Sequence, residues 1–331
     1  MNNPSGRKIG QILDSSSGYW KSCAIHAGVK LDIFTVINDG FSTAREIAGR
    51  IDTDERGTMM LLNALTAMDL LVKENDRYAN TMEGKQLLVK GSPDYLGYII
   101  LHHHHLVDAW AQLDTAVKTG EAVVSRSHGE EKERESFLMG MFNLAVQNAP
   151  PVVEQVPLAG CRRLLDLGGG PGTYAIFFCQ KNPGLTATIF DRETTRPFAM
   201  KTVKRYNMED RIDFTSGDFT RDPLGNGFDV AWLSQILHSN GPEACQRIID
   251  NTVAALTPGG RILIHEFFLE ESMAAPLFPA LFSLNMLLNN GSGRSYSFGQ
   301  ITDMLQRAGV RRVERLPYIG PNHSAILAGR L

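Results

Sequence analysis

Cysteine is scarce in this chain: Cys23, Cys161, Cys179 and Cys245 are the full complement, scattered without a CxxC pair. Such spacing excludes a disulfide framework or zinc ribbon and fits small buried thiols in a reducing compartment. Also missing is a run of about 18 apolar residues, so no membrane-spanning helix is expected. The opening "MNNPSGRKIGQILDSSSGYW" lacks the apolar core of a secretory signal, which points to a cytoplasmic location. An excess of positive charge is absent as well: 33 Lys and Arg face 36 Asp and Glu, for a net charge of −3. A large nucleic-acid footprint normally shows as a basic excess, so the expected ligand is a small molecule.

What is present is ordinary globular material, 43% hydrophobic over 331 residues. One core rarely grows past roughly 250–300 residues, so two domains are expected. Between about 20 and 95 the pattern is helical with short loops. "FSTAREIAGRIDTDERGTMMLLNALTAMDLL" offers Ser42 as an N-cap with Glu46 behind it, then a helix, a turn around Asp52 to Asp54, and a longer helix. "VKENDRYANT" reads as a hairpin turning at Glu74 to Asp76. Helix, turn, helix and hairpin make a winged helix. Its second helix begins Asp54-Glu55-Arg56 and continues with Met59, Met60, Leu61, Leu62 and Leu65. Phosphates would repel that acidic start, and the broad apolar face calls for a protein partner, so the module is expected to dimerise.

Residues 96 to 157 read as helical connecting material in which Pro150-Pro151 ends one helix and starts the next. From Arg163 the character changes. "RRLLDLG", "ATIFD", "IDFTSGD", "FDVAWL" and "RILIHEFF" alternate with helical segments, the signature of a parallel, doubly wound α/β sheet. "RRVERLPY" and "SAILAGRL" follow a helix starting near Ser297 and fit an antiparallel hairpin at the sheet edge.

Where the first of these strands turns into its helix stands an acid followed by glycine at every second position: Asp166, Gly168, Gly170 and Gly172. Glycines there allow a sharp bend and close approach of a ligand to the main chain. Thr173 occupies the third glycine position of a dinucleotide fingerprint, which argues against that cofactor. The pattern instead resembles the first motif of class I S-adenosylmethionine (SAM) dependent methyltransferases. On that resemblance Asp191, closing the second strand, would accept the ribose hydroxyls, and Asp218 with Phe219 in "SGDF" would hold the adenine. After strands four and five come His238 and Glu266. A phenol with a pKa of about 10 is mostly protonated at neutral pH, so a histidine base backed by a carboxylate would assist methyl transfer. His265 is an alternative to Glu266 as the inward-pointing neighbour.

The whole chain, from about residue 20 to 331, resembles the dimeric small-molecule O-methyltransferases, which include plant caffeic acid and flavonoid enzymes, acetylserotonin methyltransferase, and bacterial carotenoid, phenazine and bacteriochlorophyll enzymes. The resemblance rests on "LLNALTAMDLL", "LLDLGGGPGTY", "ILHSNGPEAC", "LTPGGRILIHEFFL" and "GRSYSFGQITDMLQRAGV". It implies a winged-helix dimerisation domain over 1–95, a helical segment over 96–157 that lines the acceptor pocket, and a Rossmann-like SAM domain over 158–331. It also implies a homodimer, S-adenosylhomocysteine as product, a hydroxylated aromatic or polycyclic acceptor, and a place in secondary metabolism. Ser234 joins the cofactor set, at a position where many relatives carry lysine. The chain departs from the family where His238-Ser239-Asn240 replaces His-Asp-Trp, and where "GSGRSYSF" lacks the second glutamate of plant members.

Four histidines run in "LHHHHLVDAW", within a helix matching the family's acceptor segment. On a helix His102 and His105 share a face, so no more than two of the four look into one cavity. His104 and Asp108, four apart, are placed for a local hydrogen bond. No third ligand for a metal site is evident. The resemblance makes His102 and His105 candidates for the acceptor pocket, with Phe137, Met141, Phe282, Asn285 and Met286, although Met and Phe at such spacing also build cores. Two other readings stay open: C- or N-methylation, or SAM binding without transfer, on the same fold; and a winged-helix regulator with SAM as effector.

Overall fold

The computed structural model describes residues 4–124 and 131–331. They fall into two compact units, Met1–Val107 with Glu135–Asn143, and Asp108–Arg134 with Leu144–Leu331. The helical stretch expected over 96–157 is thus shared between the units.

In the first unit, helices Ala44–Ile51 and Glu55–Ala67 precede a hairpin of β1 (Leu71–Glu74) and β2 (Arg77–Asn80). The turn places Asn75 and Asp76 at φ 46° and 64°, a left-handed pair that Asn and Asp tolerate and that matches strand twist. Ile47, Leu62, Leu65 and Leu71 are completely or almost completely buried and tie the helices to the wing. The first of these helices is capped by Thr43 rather than by Ser42. Thr43 accepts the Glu46 amide through its hydroxyl, and the Glu46 carboxylate accepts the amides of Thr43 and Ser42, a closed capping box. Asp54 caps the second helix.

The second unit is built on a seven-stranded sheet of β3 (Arg163–Leu167), β4 (Thr186–Asp191), β5 (Ile212–Ser216), β6 (Phe228–Ser234), β7 (Leu256–Phe267), β8 (Arg312–Ile319) and β9 (Ser324–Arg330). Its order is β5-β4-β3-β6-β7-β9-β8; the first five strands are parallel, and β9 and β8 run antiparallel as the terminal hairpin. Alternate residues supply the two faces: Leu165, Leu167, Leu233 and Ile264 enter one core, Leu164, Ile189, Trp232 and Leu263 the other. Strand order reverses between β3 and β6, and in such sheets the crevice at that reversal, beyond the carboxyl ends, takes the ligand.

One expectation fails. Pro150-Pro151 lies inside a single helix, Glu131–Gln155. Proline removes two backbone donors there, but Ala149, Val152, Val153 and Val156 on either side are almost completely buried, and that packing carries the helix through.

Candidate functional site

The turn after β3 is set by its glycines. Gly168, Gly170 and Gly172 have φ of 65°, 53° and 78°, values that L side chains seldom adopt. A Cβ on Gly168 would lie 2.6 Å from Ile236, and one on Gly172 would lie 2.4 Å from Ile189, whereas Gly170 faces open space. Asp166, buried below the turn, accepts the Ala175 amide at 3.2 Å. Burial, with a smaller push from Asp191, raises its carboxyl to about 7.

Asp191 at the end of β4 closes the same turn. Its Oδ2 accepts the Gly170 amide at 2.8 Å, and its Oδ1 accepts the Arg192 amide at 2.6 Å and lies 3.3 Å from the Thr195 hydroxyl. Burial raises its carboxyl above the usual range, against the pull of those donors. Past β5, Asp218 accepts the Thr220 amide and hydroxyl at 3.0 and 2.6 Å, while Phe219 packs on the core beside Gly168. Asp218 lines an open cleft of about 390 Å³ with Arg192, Glu193, Ser216 and Gly217. Arg192 and Glu193 were not singled out from sequence; their signal is their place directly after the end of β4.

At the ends of β6 and β7 the structure brings His238 and Glu266 together. His238 sits in the short turn Leu237–Ser239, and its Nδ1 lies 2.8 Å from Glu266 Oε2. Glu266 Oε1 accepts the amides of Leu237 at 2.9 Å and His238 at 3.4 Å. Both side chains are buried. Burial pushes the Glu266 carboxyl upward, but the facing His238 and the two amides outweigh it and hold the group below its ordinary value. His265, one residue earlier and so on the opposite face, stacks on Trp232 and meets the Ser234 hydroxyl at 3.0 Å through Nδ1. Burial lowers its pKa to about 4. Ser234 therefore engages His265.

Aromatic rings surround His238: Phe282 meets it edge-on at 4.8 Å, and Phe267 and Phe278 extend the cluster. Phe267 and Phe278 were missed from sequence, although "HEFF" places an aromatic immediately after Glu266. Asn285 is turned toward its own unit, its Oδ1 accepting the Trp110 indole N–H at 3.1 Å and the Asn289 amide at 3.3 Å, and Met286 is buried. In the first unit His102 meets Phe137 edge-on at 5.2 Å, Met141 is half-buried, and His105 is exposed. His104 takes Lys30 as a partner, Nε2 to Nζ 3.1 Å, and has the His26 ring edge-on beside it. Among the described residues no three His, Cys, Asp or Glu side chains gather to hold a metal ion, and no helix is long and apolar enough to cross a membrane.

A doubly wound sheet with an acid-and-glycine turn at its switch point and an acid closing the next strand is the framework of a class I methyltransferase. Residues 104–311 match the family model of the O-methyltransferase domain, and residues 13–90 that of the O-methyltransferase dimerisation domain. The 3-hydroxy-5-methyl-1-naphthoate 3-O-methyltransferase of Streptomyces sahachiroi is 32% identical over 325 residues, covering 96% of this chain and 94% of that protein. A solved O-methyltransferase family protein from Burkholderia thailandensis is 27% identical with a TM-score of 0.87, covering 97% of each chain. The structure of PigF with SAH is 25% identical with a TM-score of 0.88, covering 97% of this chain and 99% of that one. The chain belongs to the O-methyltransferase family, whose members draw the methyl group from SAM.

Proposed function

We propose that this protein methylates a hydroxyl of an aromatic or fused-ring acceptor, with His238 as general base and Glu266 as its partner. The observation that carries this reading is the buried His238–Glu266 contact of 2.8 Å beyond the sheet's carboxyl edge. With Nδ1 engaged by the carboxylate, Nε2 is the nitrogen left to take a proton from an acceptor hydroxyl. The carboxylate, kept ionised, would stabilise the imidazolium that forms. Phe282, Phe267 and Phe278 supply an apolar, aromatic surround suited to a flat ring. The naphthoate acted on by the Streptomyces sahachiroi relative supports an acceptor of that kind.

The residues present fit the cofactor. Gly170 leaves open space over the turn, where a bulkier residue would stand in a ligand's way, and the cleft beside Asp218 opens at the neighbouring strand ends. Asp166, Gly168, Gly170 and Gly172 would shape the turn, Asp191 would bind the ribose, Asp218 and Phe219 the adenine, and Ser234 would border the site. When bound, SAM supplies an electrophilic methyl on a sulfonium. The chain's own part is to orient the acceptor, exclude water through its aromatic wall and receive the hydroxyl proton at His238. His102, Phe137 and Met141 in the first unit, and Phe282, Asn285 and Met286 in the second, are proposed acceptor contacts. His105, exposed on the same helix, is proposed with them. A homodimer is proposed through the first unit, supported by the dimerisation match and by exposed Leu13, Tyr19, Trp20 and Met60.

The test incubates the protein with SAM and a panel of hydroxynaphthoates, phenols and anilines, following methyl ethers and methylamines by mass spectrometry. An O-methylated product that drops about a hundredfold or more in His238→Ala, with SAM affinity kept, supports the reading. Methyl transfer to nitrogen or carbon alone, or a full rate in His238→Ala, defeats it.

A further inference from the structure

The turn that carries His238 is held on every carbonyl from Ile236 to Asn240. Ile236 O accepts from Asn240 Nδ2 at 2.9 Å, and Leu237 O accepts the Asn240 amide at 2.9 Å and the Cys245 thiol at 3.2 Å. The remaining three carbonyls are all taken by one segment, 290–296. His238 O accepts the Arg294 amide at 2.7 Å, Ser239 O accepts Asn290 Nδ2, and Asn240 O accepts the Tyr296 hydroxyl at 2.5 Å. The fit leaves no slack, since a Cβ on Gly293 would lie 2.6 Å from His238 O and one on Gly241 would lie 3.2 Å from Ser292. The same segment is bound to the helix Leu277–Asn289, which carries Phe282. Ser295 donates its amide to the Ser283 hydroxyl at 3.0 Å and its hydroxyl to Pro279 O at 2.9 Å.

Ile236, Leu237 and His238 are buried, so their carbonyls need protein partners, and the turn takes three of its five from the single segment 290–296, which ties its position to that segment. Tyr296 is itself buried among core residues, so its hydroxyl has a fixed origin and a fixed target. We infer that segment 290–296 is a clamp that positions His238, with Tyr296 and Asn290 as positioning residues that set the imidazole relative to Phe282. The inference rests on His238 being the base. It gives a physical role to a stretch of sequence that carries no carboxylate of its own, and it makes the His238 turn and the Phe282 helix one rigid piece.

The experiment compares Tyr296→Phe, Asn290→Ala and His238→Ala, alone and with each clamp change combined with His238→Ala. It uses single-turnover methyl transfer to a hydroxynaphthoate and the exchange rate of the His238 Nδ1 proton by NMR. The clamp predicts that Tyr296→Phe lowers the transfer rate about fivefold to tenfold, the loss of one buried hydrogen bond, with SAM affinity and acceptor KM unchanged. It further predicts faster Nδ1 proton exchange and no additional loss in the His238→Ala background, where a merely structural role would subtract again. If Tyr296→Phe does not fold, the Asn290→Ala set decides by the same measures. Unchanged rate and exchange in a folded clamp variant overturn the clamp, whereas an unchanged rate in His238→Ala overturns the base assignment and leaves the exchange measurement to judge the clamp.

Discussion

Glu266 grips His238 at two points, its Oε2 at 2.8 Å from the ring Nδ1 and its Oε1 receiving the His238 and Leu237 amides. One carboxylate thus fixes the orientation of the ring and the path of the chain that carries it. Replacement by Gln keeps an acceptor for the amides and removes the charge. The expected result for Glu266→Gln is a folded protein whose kcat falls about tenfold to a hundredfold. Glu266→Ala strips a buried pair of one member and should also lose about 3 kcal/mol or more of stability. Urea unfolding and kcat, measured side by side, check both, and Glu266→Gln with the activity of the parent would remove Glu266 from the mechanism. The group's stabilising share is complete above its ordinary pKa of 4.5 and disappears as pH falls through the lowered folded value.

The turn glycines separate into two kinds. Gly172 has a left-handed φ and no room, with Ile189 2.4 Å from where a Cβ would stand, while Gly170 has a left-handed φ and open space. Gly172→Ala should lower Tm sharply, with loss of cofactor binding following from a damaged turn. Gly170→Ala should cost about 1–2 kcal/mol of backbone strain and weaken SAM binding by clearly more than that strain explains. Calorimetry of both variants with SAM checks this. Equal SAM affinity in Gly170→Ala and the parent would show that the open space does not face the cofactor.

The glycine-rich turn and the parallel sheet were readable because each depends on local rules: alternation with period two along strands, and positions where only glycine tolerates the backbone. Other features depend on what lies across the fold. Glu266 and His265 must point to opposite faces, but which one meets His238 follows from the seating of β7 between β6 and β9. Helix spacing sorts the four histidines by face, but their partners lie elsewhere: Lys30, 74 residues away, meets His104, and Phe137 meets His102. Pro150-Pro151 read as a break because local chemistry says so, and buried Val152 and Val153 overrule it. The clamp on His238 was invisible for the same reason, since its bonds join segments some 50 residues apart.

His265 offers a pH test. Its ordinary pKa of 6.5 falls to about 4 in the folded protein, chiefly through burial, so the unfolded chain binds a proton over this range that the folded chain refuses. Stability is greatest above pH 6.5, where both states are neutral, and falls as the pH drops from there toward 4. The full displacement is worth about 3 kcal/mol. Unfolding free energies at pH 7 and pH 4.5 should therefore differ less in His265→Phe than in the parent. An identical pH dependence would show that His265 is not the group responsible.

The histidine run gives the last test. His102 stands edge-on to Phe137, while His105, on the same helix face by spacing, is exposed and has His104 as its ring neighbour. If the His102–Phe137 pair contacts the acceptor, His102→Ala raises acceptor KM about fivefold or more and leaves SAM affinity alone, the signature of lost uniform binding. Phe137→Ala does the same, and the double variant adds little because the two rings act as one surface. His105→Ala, lacking the Phe137 contact, raises acceptor KM less than His102→Ala does. A larger effect from His105 than from His102 would reverse the assignment between the two.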